Sequence, residues 1–350
     1  MNWRKRILAA ALSAALLACL TVMASGADLS PEALLADTAE CVLKRTPAPS
    51  VGAVGGEWAV LGLVRSGCAL PEEYCAGYYQ AVERYAAECG GVLSATKYTE
   101  YARVSLALTA IGKDPRQVSG MNLLAPLGDY RKVVRQGPNG AAWALIALDA
   151  GGYDVPAAPG AAVQATRQLY VDFLLERQLP EGGWSLGQTA DPDLTGMALT
   201  ALAPYRGQAA VAQAAEKALG RMSALQEESG GFATAESTAQ MLVALVAWDL
   251  SLEDDCFVKN GRTLLDGLLA DYLPGRGFRH TAAETEADAM ATEQGLCALA
   301  AVCRARAGEA FLYDMTGGKT KPAPAEAAPA QAAAWGAGAG LTVSILAVWV

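Results

Sequence analysis

Phe173–Tyr205 reads FLLERQLPEGGWSLGQTADPDLTGMALTALAPY. It holds the end of one apolar helix, a Gly-Gly-Trp turn, an Asp-Pro-Asp helix start and a second helix of small apolar residues. Gly182 and Gly183 punctuate the chain where a helix must stop and turn. Asp191, Pro192 and Asp193 have helix-start chemistry: a capping carboxylate, a proline at the first helical position and an acid near the positive end of the helix dipole.

The same grammar recurs on both sides. Nearly all-apolar helices are expected from about Glu57, Glu100, Ala142, Thr195, Ser237 and Ala291, a spacing of roughly 42 to 54 residues, which is the range of helical arrays. Before each lies an amphipathic segment: Ser30 to Arg45, Pro71 to Cys89, a segment opening at Asp114-Pro115 with Gly120 as a candidate break, Gly160 to Gln178, Gly207 to Gln226, and Cys256 to Tyr272. A helix apolar on every face must be surrounded by protein, whereas one with a single apolar stripe sits outside. Six of each in alternation predict an all-α (α/α)6 toroid of six inner and six outer helices. Closure is expected over an open solenoid because no polar end cap is evident.

The ends have different compositions. Arg4, Lys5 and Arg6 precede the apolar run Ile7 to Val22, and Ser25 and Ala27 make a small-x-small cleavage site. Residues 1–27 are thus expected to be a secretory signal peptide; a lipoprotein signal at Cys19 is the weaker reading. Residues 28–315 form the expected toroid domain. Residues 316–334 read as a Pro/Ala linker, and 335–350 as a hydrophobic C-terminal membrane anchor, with a tail lying at an interface as the alternative. Together these predict an exported protein on the extracellular face of the membrane or cell surface.

The full chain has 350 residues and a formal charge of −9. Removing residues 1–27 takes away three basic residues and shifts the charge to −12. Such an acidic chain lacks the clustered Lys and Arg that phosphate backbones require, so nucleic acid is not an expected partner. Seven cysteines lie beyond Cys19, none in a CxxC pair. Mostly free, buried thiols are expected, since Cys297 and Cys303 lie in an apolar helical run.

Phe173-Leu174, Gln178, Gly182 and Trp184 resemble the QW motif of squalene cyclase and prenyltransferase repeats. Gln226, Gly230, Gly231 and Phe232 repeat it, with Phe in place of Trp. Asp191-Pro192-Asp193-Leu194-Thr195 is similar to the DxDDT stretch of class II terpene cyclases, with Leu194 where the pattern has a third acid. The chain therefore resembles the prenyltransferase/squalene oxidase repeat superfamily over about residues 30 to 315. The resemblance implies an (α/α)6 toroid. It also implies a role for Asp193 as the acid that protonates an alkene or epoxide, with Asp191 beside it. This is one superfold with many functions.

Several site chemistries were weighed. Asp191 and Asp193 satisfy helix-start chemistry without any catalytic role. Asp254, Asp255, Cys256 and His280 have the residue types of a prenyltransferase zinc site, but lie at the start of an outer segment, where acids ordinarily cap; no metal and no cofactor is expected. The Gly-Cys-Gly-Glu-Gln stretch of a thioester is absent. Trp184, Phe232 and Phe278 each follow a glycine turn at equivalent positions. Their structural reading is a wedge between helix pairs; their functional reading is a ligand-binding mouth, rimmed by Glu236, His280, Glu286, Asp288 and Glu293. The expected function is a binding module for a small-molecule or peptide ligand. The alternative is a terpene cyclase-like enzyme using Asp193. The discriminating observation is whether the centre of the toroid is open or filled.

Overall fold

A computed structural model describes residues 30–317. The expected signal peptide, most of the linker and the hydrophobic tail lie outside the described residues. Within them the chain is mostly helical, with one two-stranded antiparallel ribbon, β1 (Tyr272–Leu273) and β2 (Gly277–Phe278). No helix among the described residues is long and apolar enough to cross a membrane.

Six helices are built from the apolar segments: α2 (Glu57–Ser66), α4 (Thr99–Ala110), α6 (Pro138–Ala150), α8 (Pro192–Leu202), α10 (Ala235–Ala247) and α12 (Ala289–Arg306). In α6 all but one of the thirteen residues are buried, as expected of a helix with no polar face. The alternating partners are α1 (Pro31–Arg45), α3 (Glu72–Glu88), α5 (Tyr130–Val133), α7 (Arg167–Glu176), α9 (Ala209–Leu225) and α11 (Leu264–Leu269). In α3 only Tyr74, Tyr78, Val82 and Ala86 are buried, one residue per turn, the single stripe of an outside helix.

The apolar helices pack in sequence: α2 on α4, α4 on α6, α6 on α8, α8 on α10 and α10 on α12. The last packs back onto α2. That return contact is close, since a Cβ added at Gly62 would meet the Leu296 side chain at 2.9 Å. Cys297 Sγ donates to the Trp58 carbonyl across the same joint.

The outer segments depart from the expected pattern in two places. Asp114 to Gln136 is not one amphipathic helix. It is a run of turns, an isolated bridge between Val118 and Met121, short 3-10 turns and the four-residue α5. Ser119 and Gly120 both take positive φ, and Pro126 removes a donor, so a continuous helix cannot form there. Cys256 to Tyr272 is likewise broken at Asn260 and Gly261, both at positive φ, leaving the six-residue α11. A buried clamp joins α6 and α7. Arg167 Nε lies 2.8 Å from Asp149 Oδ1, and Tyr205 donates to the other oxygen of Asp149 at 2.9 Å.

All seven described cysteines are free, with Cys41 and Cys297 buried and Cys256 exposed.

Candidate functional site at the helix starts

The Gly-turn motif is a repeated construction whose key residue is a threonine. Trp184 N–H donates to Thr195 Oγ1 at 2.9 Å, Phe232 N–H to Thr238 Oγ1 at 2.9 Å, and Phe278 N–H to Thr292 Oγ1 at 3.0 Å. Each threonine lies four residues after the N-cap of its helix: Asp191, Thr234 and Asp288. The glycine before each ring is tightly confined. A Cβ at Gly277, whose φ is +97°, would lie 2.4 Å from Thr292, so only glycine fits. The three rings themselves are buried, and Trp184 Nε1 donates to the Leu174 carbonyl at 2.6 Å. They are wedges inside the fold rather than faces turned to a ligand. The sequence carried the signal for this in the recurring cap-x-x-x-Thr spacing.

Hydrogen bonds tie the starts of neighbouring apolar helices together. Ser237 Oγ on α10 donates to Asp193 Oδ2 on α8 at 3.1 Å. Gly55 N–H, just before α2, donates to Glu293 Oε1 on α12 at 2.7 Å. Thr99 N–H at the start of α4 donates to Gln136 Oε1 just before α6 at 2.9 Å. Acids occupy the first turns of four of these helices, at Glu57, Glu100, Asp193 and Glu236, where the helix dipole favours negative charge.

Asp191 acts as the cap: its Oδ1 accepts from Leu194 N–H at 2.8 Å. Asp193 differs. Its Oδ1 is shielded from water and has no partner. Burial first, then the charge of Asp191, push its carboxyl up to about 7. The equivalent Glu236 is buried and accepts from His280 Nδ1 at 2.9 Å and 3.0 Å. Burial raises the Glu236 carboxyl. Burial lowers the His280 imidazole, but hydrogen bonding to Glu236 together with the charges of Glu236, Glu284 and Asp288 outweighs it, and the net shift is upward.

The remaining expected residues are scattered. Asp254 caps a short turn by accepting from Cys256 N–H at 2.9 Å, while His280 is held by Glu236. Among the described residues no cluster of three or more His, Cys, Asp or Glu is arranged to hold a metal ion. Glu286 lies 3.3 Å from Arg276, and Asp288 caps α12.

Glu293 is the exception. It is 3% exposed, and its Oε2 has no hydrogen-bond partner. Burial pushes its carboxyl up to about 7, and the charges of Glu57 and Asp288 add to that. It lines a cleft of about 270 Å³ between the segment after α1 and the start of α12. Sequence reasoning missed its companions: Arg45 in the same cleft, Glu57 buried beside it with Tyr78 donating at 3.4 Å, and Tyr74, whose buried hydroxyl is also unpartnered. A carboxylate at the first position of an otherwise apolar helix was the available signal for Glu57.

Buried rings meet between the apolar helices. Trp58 on α2 and Trp143 on α6, the helices flanking α4, meet with ring centroids 4.8 Å apart. Tyr313 from the segment after α12 stacks edge-on against Trp143 at 6.0 Å. Arg65 fixes that segment by donating to the carbonyls of Leu312 and Phe311, both at 2.8 Å.

No protein-family model matches the chain, and no curated protein matches it significantly.

Proposed function

We propose that the chain is an exported, surface-anchored (α/α)6-toroid binding module of the prenyltransferase/squalene oxidase repeat type, with its ligand site at the Glu293 cleft. The toroid reading is supported by the strict alternation of twelve helices and the return packing of α12 on α2. The export and anchoring readings rest on the composition of residues 1–27 and 335–350. Deleting 335–350 is expected to release the protein from cells into the medium; retention at the surface would remove the anchor from the proposal.

The observation that carries the binding reading is that Glu293, a buried acid with one unpartnered carboxyl oxygen, is among the residues lining an open cleft. Burying such an acceptor costs roughly 1–3 kcal/mol, and a bound donor removes that cost. The test is a titration with a mixed fragment library followed by backbone amide shifts. Shifts centred on Gly55, Ala289 and Thr292 are expected. Shifts confined to other surfaces, or none, would overturn the site.

A terpene cyclase-like enzyme is the second reading. One observation favours it: the Asp193 carboxyl is pushed up to about 7, so that a share of it keeps its proton near neutral pH, as a general acid must. Against it, neither of the two clefts described for the molecule is lined by Asp193. Turnover of a polyprenyl substrate, abolished by Asp193→Asn, would restore the enzyme.

A further inference from the structure

The cleft has two chemically opposite walls. One is Glu293, buried, with Oε2 unpartnered and with the charges of Glu57 and Asp288 close enough to act on it. That surrounding negative potential favours a cation over a neutral donor. The other is Arg45, exposed at the end of α1. Its Nη2 donates to the Arg276 carbonyl at 2.6 Å and its Nη1 to Thr292 Oγ1 at 3.4 Å. These contacts hold the guanidinium in place, yet it forms no ion pair with any described carboxylate.

Arg45 and Glu293 line the same cleft without forming an ion pair with each other. A guanidinium and a carboxyl that share a cavity but stay apart present complementary charge to a molecule carrying both signs. Size narrows the class. About 270 Å³ sits just below the roughly 300–1,000 Å³ of ordinary ligand pockets, so the occupant is small. Ser50, Gly55 and Ala289 complete the wall without bulk.

We propose that this cleft binds a small zwitterion, its ammonium on Glu293 and its carboxylate on Arg45. The inference rests on the reading of the cleft as a ligand site. An ammonium would meet the Glu293 carboxyl where that residue lines the cleft, and a carboxylate would supply the anionic partner that Arg45 lacks. Charge-assisted contacts of this kind are about twice as strong as neutral ones.

The test uses the mature protein and defined probes. A series of ω-amino acids from glycine to 6-aminohexanoate is titrated by calorimetry, beside n-butylamine, butyrate and glycerol. The expected result is binding by at least one amino acid, at least about tenfold tighter than the amine or the acid alone, the factor set by loss of one charged contact. Glu293→Gln and Arg45→Met are each expected to reduce it about tenfold or more, with Arg45→Lys retaining part. Thermal unfolding of each variant checks that it is folded. If n-butylamine binds as tightly as any amino acid, the zwitterion inference fails while the cleft remains a site. Preference for butyrate or glycerol has the same consequence. If no charged probe binds although neutral fragments shift the Gly55 and Thr292 amides, the zwitterion inference fails and the site again stands. If nothing binds and no cleft amide moves, both readings fall.

Discussion

The start of α8 and the start of α12 are the same construction put to different ends. Each has a capping aspartate, Asp191 or Asp288, a threonine four residues on, and a buried aromatic wedge held by that threonine. Each also carries a second carboxyl pushed up to about 7, Asp193 or Glu293. Asp193 is answered on one oxygen only, since Ser237 on the next apolar helix reaches Oδ2 while Oδ1 has no partner, and it lines no cleft described above. Glu293 is answered on one oxygen only, by a backbone N–H from a segment 238 residues earlier, and stands in a cleft. A raised pKa alone therefore does not mark a site. What separates the two is open space beside the carboxyl.

The largest effect should come from the shared frame. Trp184→Ala removes a fully buried ring and its hydrogen bond to Leu174. A loss of about 3–5 kcal/mol is expected, the range for a buried aromatic, read by denaturant unfolding. Phe278→Ala should cost a similar amount if the two starts are equivalent frames. A small loss at either site would break the equivalence.

Next come the two carboxyls. Below about pH 4 each is protonated in both folded and unfolded chains, and burial costs nothing. As pH rises the unfolded chain ionises first, while the native protein keeps its proton until about 7. Stability therefore falls between about pH 4 and pH 7 and levels off above. Asp193→Asn and Glu293→Gln should each flatten that fall by about 2 kcal/mol, with the limit set near 1.4 kcal/mol per pKa unit. Only Glu293→Gln should also change ligand binding. A stability curve unaltered by both substitutions would remove the buried-acid argument from both sites.

The frame was more legible in the sequence than the site. The six apolar helices were readable because each is apolar all round, a pattern no outside helix shows. In the segment opening at Asp114 a break is legible at Gly120, whereas Cys256 to Tyr272 keeps helical apolar spacing although Asn260 and Gly261 take positive φ. Asp193 drew attention through its motif, and Glu293 only as one rim residue among several. Nothing local to Glu293 says that Gly55 and Arg45 lie against it, since those contacts form only when the last apolar helix packs on the first. The role of Thr195, Thr238 and Thr292 was written in a regular spacing, but a threonine inside an apolar helix ordinarily reads as a core residue.

The smallest expected effects separate capping from charge pairing. Asp191→Ala removes an N-cap and should cost about 1 kcal/mol, with little change in pH dependence. His280→Asn should cost less than about 1 kcal/mol, because the imidazole is nearly half exposed and its ion pair is screened by water, and its effect should depend on pH. The pairing with Glu236 holds the imidazole above its ordinary value, so its contribution is present in mildly acid solution, below the unfolded imidazole pKa and while Glu236 keeps its charge. It disappears as pH rises through the folded value. Unfolding curves for wild type and His280→Asn should therefore converge on the alkaline side of neutrality and separate on the acid side. Convergence on the acid side instead would mean that Glu236 holds a neutral imidazole, and that the start of α10 is built on a hydrogen bond rather than on charge.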